Sequence, residues 1–145
     1  MTVQQLHHVG IVVDDLPAAI GFFVELGLDL EGEASLGGPW VDRIIGLEGT
    51  RSDIAMLVTP NGTSRIELSK FHSPSGPEGD PRVPSNAKGL RHLAFLVDGL
   101  DEVLGRLRAR GVEPVGNVEQ YEDIYRLCFL RGPEGIIIGL AEQLS

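Results

Sequence analysis

The chain has 145 residues, with 21 Asp and Glu against 12 Lys and Arg and a formal net charge of −9. That length suits one domain able to bury roughly 70% of its unfolded surface, and the acidic balance argues against nucleic acid as a partner, since phosphate binding needs a basic surface. No run of about 18 apolar residues predicts a membrane span, no charged-then-apolar leader predicts secretion, and the lone Cys128 excludes an internal disulfide and suits a reducing cytoplasm.

The first predicted element is a strand over about 4–13, rich in Val and Ile. Asp14-Asp15 end it and open a helix, because an Asp side chain there accepts free backbone N–H groups. Pro17 sits in the first turn, where its missing donor is harmless, and Gly27 stops the helix near residue 26. Three strands follow, at about 28–36, 53–59 and 64–70, the last two separated by the Pro60-Asn61-Gly62 turn. The glycine-rich segment 37–52, with the lone Trp40, reads as a loop or edge. Residues 72–89 carry Pro74, Pro77, Pro81 and Pro84 with Gly76, Gly79 and Gly89, and read as a linker.

The second half repeats this order. A strand over about 90–97 ends at Asp98-Gly99, a helix runs to about 110 and stops at Gly111, and strands follow at about 112–118, 124–131 and 135–142. The Pro133-Glu134-Gly135 turn separates the last two. Cys128, inside an apolar strand, reads as a buried structural thiol. The chain is therefore predicted to be α+β, one domain over 1–145 made of two βαβββ modules, at about 4–71 and 90–142.

The halves are also alike residue by residue. LHHVGIVVDDLPAAIGFFVELGL (6–28) aligns without a gap on LRHLAFLVDGLDEVLGRLRARGV (90–112), with identities that include His8/His92, Asp14/Asp98 and Gly27/Gly111. A duplicated module places His8 and His92 in equivalent positions. Glu67 is the third candidate: its neighbours Ile66 and Leu68 mark the apolar face of their strand, so Glu67 points the other way. By the same alternation His7 is expected to face away from His8, against the helix or the surface. Two imidazoles and a carboxylate suit Zn²⁺, Ni²⁺, Co²⁺, Mn²⁺ or Fe²⁺ and leave open positions for water or substrate. Aligning PNGTSRIEL (60–68) with PEGIIIGL (133–140) sets Glu67 against Gly139, so the expected fourth ligand is missing. Two readings of Gly139 stand: drift in a paralogue that has lost catalysis, or room for a water or substrate oxygen. Glu142, three residues on, faces the wrong way in a regular strand.

HHVGIVVDDLPAAIGFFVELGL, GLRHLAFLVDGLDEVLGRLRARGV and RGPEGIIIGLAEQ together resemble the vicinal-oxygen-chelate superfamily, the glyoxalase / bleomycin resistance / dioxygenase family, and glyoxalase I-like members in particular. The resemblance implies paired βαβββ modules forming a half-open barrel around a divalent metal. It implies His8, Glu67 and His92 as metal ligands, with Glu67 also catalytic as a mover of protons. It implies a small-molecule substrate with neighbouring oxygens, isomerase, epimerase or lyase chemistry, and a homodimer. The alternatives are a bleomycin-resistance-like binding protein without catalysis and a dioxygenase-like member.

Overall fold

The computed structural model describes residues 2–144; Met1 and Ser145 lie outside the described residues. The chain divides into two compact units, the first reaching to Glu78 and the second beginning at Gly79.

In the first unit, β1 (Val9–Val12) leads into α1 (Leu16–Leu26), then β2 (Asp29–Gly37), α2 (Pro39–Ile45), β3 (Arg51–Val58) and β4 (Arg65–Ser73). The sheet order is β1-β4-β3-β2, with β1 and β4 parallel and the other pairs antiparallel. The Asp15 carboxylate accepts the Ala18 N–H at 3.0 Å and starts α1, and Gly27, at φ 127°, ends it by donating to the carbonyls of Phe23 and Val24. The apolar stripe of α1 covers the sheet, so Ala19, Phe22, Phe23 and Leu26 are buried with Ala55, Leu57, Ile66 and Leu68.

The opening strand covers only Val9–Val12, not 4–13, because β4 begins at Arg65 and its register partner Ile66 meets Val9, which leaves earlier residues no strand to pair with. Segment 37–52 holds α2 rather than only loop. Pro39 opens that helix, Gly46 closes it in the left-handed conformation at φ 74°, and the Asp42 carboxylate accepts the Gly49 and Thr50 N–H groups, both at 3.0 Å. Trp40 stands exposed on it.

The second unit runs β5 (His92–Leu96), α3 (Leu100–Arg108), β6 (Glu113–Pro114), β7 (Glu119–Tyr121), β8 (Tyr125–Arg131) and β9 (Ile137–Gln143). Its sheet repeats the first, in the order β5-β9-β8-β6, with β5 and β9 parallel. The expected strand over 112–118 is replaced by two short ones, β6 and β7, both paired to β8; Pro114 lacks a donor to continue the ladder. Leu100, Val103, Leu104 and Leu107 of α3 are buried, as are Cys128, Leu130, Ile138 and Leu140. Burial pushes the Cys128 thiol up, which keeps it protonated and inert. The proline-rich segment partly belongs to this unit: Arg131 donates to the Val83 carbonyl at 2.9 Å, and a Cβ at Gly135 would collide with the Pro81 backbone.

Asp98 does not cap α3. Gly99 occupies the cap position without a side-chain bond, and the Leu100 N–H instead donates to Glu142 Oε2 of β9 at 3.0 Å. Arg126 Nη1 lies 3.6 Å from the other Glu142 oxygen and pairs with Asp101, whose carboxyl its hydrogen bonds hold below the usual range. Glu142 thus caps a helix across 42 residues of sequence. Removing it in Glu142→Ala is expected to cost about 0.5–2 kcal/mol, read as a lower urea midpoint at unchanged slope.

The architecture is α+β, two sheets of matching strand order with few helices. Among the described residues every strand pairing lies within one sheet or the other, and neither sheet closes on itself. No helix of the described residues is long and apolar enough to cross a membrane.

Candidate metal centre

Strand register tests the alignment of the two halves. Gly10 of β1 is paired with Glu67 of β4, and Ala94 of β5 with Gly139 of β9. Glu67 and Gly139 are therefore equivalent in the backbone as well as in the sequence, while His8 lies just ahead of β1 and His92 opens β5, each two residues before its matched position, Gly10 or Ala94.

In the first unit His8 and Glu67 come together. His8 Nε2 lies 3.9 Å from Glu67 Oε2, with side chains 35% and 26% exposed. Glu67 turns away from the buried Ile66 and Leu68, as alternation requires. Two donors bound to one ion at about 2.0–2.1 Å lie about 3.4 Å apart in tetrahedral geometry, so the pair would have to close slightly to share a cation. The partner of His8 is His7, which sequence reasoning assigned to the opposite face. Their Nδ1 atoms are 2.7 Å apart and their rings meet edge to face at 5.0 Å. Both residues precede β1, where strand alternation does not hold. With His7 as acceptor, His8 carries its proton on Nδ1 and presents the Nε2 lone pair to the Glu67 carboxylate. In that tautomer the Nε2 lone pair faces the carboxylate, an arrangement a cation would bridge, and an outer hydrogen bond of this kind commonly orients a metal-binding imidazole; in the opposite tautomer the Nε2 proton points to Glu67 instead.

His92 lies in the second unit at the start of β5, and its neighbour is Phe129 of β8: the ring centroids are 4.9 Å apart at 67°. Phe129 is paired in register with Gly139. A Cβ on Gly139 would lie 2.9 Å from Phe129 Cε1 and 3.2 Å from the Ala94 Cβ. The space expected at Gly139 for a water or a substrate oxygen is therefore filled by the Phe129 ring. Glu142 is committed to Leu100 and Arg126 and does not substitute as a ligand. Within either unit, among the described residues, no three His, Cys, Asp or Glu side chains gather closely enough to hold an ion.

The first unit also holds a polar group with no motif in the sequence to mark it. Asp53 accepts from the Ser35 hydroxyl at 2.7 Å and lies 2.8 Å from His72 Nε2; the Ser35 bond, then His72, holds its carboxyl below the usual range. These side chains line a cleft of about 1000 Å³ beside the start of α1.

Relatives carry the same architecture. The chain is 31% identical over 144 residues to the protein YaeR of Escherichia coli (strain K12), covering 97% of each chain. It superposes on the crystal structure of a glyoxalase family protein from Bacillus cereus with a TM-score of 0.97 at 48% identity, covering 100% of this chain and 97% of that one. A fosfomycin resistance protein from Listeria monocytogenes, FosX, shares the fold at a TM-score of 0.62 and 15% identity, over 96% of this chain and 90% of its own; a point mutant of FosX was crystallised with Mn(II) and 1S,2S-dihydroxypropylphosphonic acid. The family model for the Glyoxalase/Bleomycin resistance protein/Dioxygenase superfamily matches residues 5–140. Duplicated modules, strand order and a match running across both halves lead to one assignment: the chain belongs to the Glyoxalase/Bleomycin resistance protein/Dioxygenase superfamily.

Proposed function

We propose that the protein is a divalent-metal-dependent enzyme of glyoxalase type, with His8, Glu67 and His92 as the protein ligands. The observation that carries this reading is the approach of His8 Nε2, just ahead of β1, to Glu67 Oε2 of β4 at 3.9 Å, with His7 Nδ1 2.7 Å from His8 Nδ1. The metal in FosX, a protein of the same fold, supports it. Zn²⁺, Ni²⁺, Co²⁺, Mn²⁺ and Fe²⁺ all suit two imidazoles and a carboxylate. A bound ion would supply Lewis acidity to a substrate with neighbouring oxygens, such as a hydroxy-ketone, an enolate or a thioester.

The chain's own residues then divide the work. His8 and His92 bind and orient. Glu67, partly exposed, holds a proton acceptor beside the carbon next to the substrate carbonyl and returns the proton to the same or the neighbouring carbon. That is isomerase or epimerase chemistry, with a lyase outcome where a leaving group sits next to the deprotonated carbon. The expected assembly is a cytoplasmic homodimer acting on a small molecule.

One observation favours a second reading, a binding protein without catalysis: Phe129 fills the place where the duplicated module would carry a carboxylate. The two readings separate in D₂O. Metal-loaded protein given an α-hydroxy-ketone should wash deuterium into the carbon beside the carbonyl, and the wash-in should vanish in Glu67→Gln. Wash-in that persists in Glu67→Gln would remove Glu67 as the base, and tight ligand binding with neither metal nor wash-in would support the second reading.

A further inference from the structure

We propose that Gly139 and Phe129 are a coupled pair whose role is to position His92, so that the second module supplies one ligand by construction rather than by decay. In the first module the pair at these positions is Glu67 with Met56 opposite it in register. In the second it is Gly139 with Phe129. Both members differ together, and each requires the other. A Phe ring lies most closely over a neighbouring strand where the residue beneath it has no side chain, and the ring in turn covers a glycine that would otherwise weaken the strand. Here a Cβ at 139 would press on both Phe129 Cε1 and the Ala94 Cβ. The ring laid over Gly139 meets His92 edge to face at 4.9 Å, a favoured aromatic geometry. Phe129 is thus a positioning residue: it limits the rotation of the His92 imidazole, as His7 does for His8 through a hydrogen bond. It follows that Gly139→Glu alone does not create a fourth ligand, because its stem meets the ring, whereas Phe129→Ala/Gly139→Glu has space for the carboxylate.

The structural half of this proposal needs no metal. In metal-free protein Gly139→Ala should lower Tm by roughly 3–9 °C through overpacking, and should cost less than half as much in a Phe129→Ala background. Equal costs in the two backgrounds would overturn the coupling. The His92 ring proton resonances should move in Phe129→Ala and stay near their wild-type positions in Phe129→Tyr, which keeps the ring; His92 resonances unchanged in Phe129→Ala would overturn the positioning role. The functional half rests on the proposed metal reading. Co²⁺ titration should show about tenfold weaker binding in Phe129→Ala, recovered in Phe129→Tyr, and unchanged affinity in Phe129→Ala would overturn it. Wild-type protein that takes up no Co²⁺ would sink the metal reading itself, while the melting and resonance experiments would still decide the Gly139–Phe129 pair.

Discussion

Glu67→Ala is expected to abolish stoichiometric divalent-metal binding at micromolar concentration, a loss of roughly a hundredfold or more in affinity. Losing an outer partner of a ligand typically costs 10–100-fold, and Glu67 is proposed as a ligand itself. It is also the one anionic member of the proposed set, so its removal takes away the charge that offsets the ion. The fold should survive. Glu67 is partly exposed and on the face opposite the buried Ile66 and Leu68, so truncation opens no core cavity. Calorimetric titration of stripped protein with Zn²⁺ measures the loss, and a melt of the metal-free variant within about 2 °C of metal-free wild type separates it from unfolding. Retained affinity in a folded Glu67→Ala would remove this residue from the site.

Phe23→Ala should have the largest effect on stability, about 3–5 kcal/mol. Phe23 is 0% exposed at the centre of α1 and packs edge to face on Phe22 at 5.1 Å. Its side chain belongs to the layer that seats the helix on the sheet bearing Glu67. A domain is stable by only about 5–15 kcal/mol in total, so this single truncation consumes a large share of that margin. Urea denaturation followed by tryptophan fluorescence reads it, since Trp40 lies in the same unit. A loss below about 1 kcal/mol would mean that the helix is held by something other than this apolar layer.

Much of this was legible in the chain because the protein states its pattern twice. Matched His8 and His92, matched helix-stopping glycines and the Glu67/Gly139 contrast fixed the module order, and strand register agrees with the alignment. What escaped is non-local or short. α2 has seven residues, too few for a 3.6-residue period to declare itself, and its signals were Pro39 at the start and Gly46 at the end. The His7–His8 contact was missed by extending strand alternation to residues that have no paired neighbour. The filling of Gly139 by Phe129 is a contact between neighbouring strands, and a single sequence does not reveal which residues will be paired across a sheet. The capping of α3 by Glu142 joins distant parts of the unit and leaves no local signature.

The central claim is that one ion gathers two imidazoles and one carboxylate from His8, His92 and Glu67. X-ray absorption at the cobalt edge of stoichiometrically loaded wild-type protein tests it most directly. The account predicts outer-shell scattering from two imidazoles, falling to one in His92→Ala. A spectrum with a single imidazole in the wild type, or one that His92→Ala leaves unchanged, would contradict it.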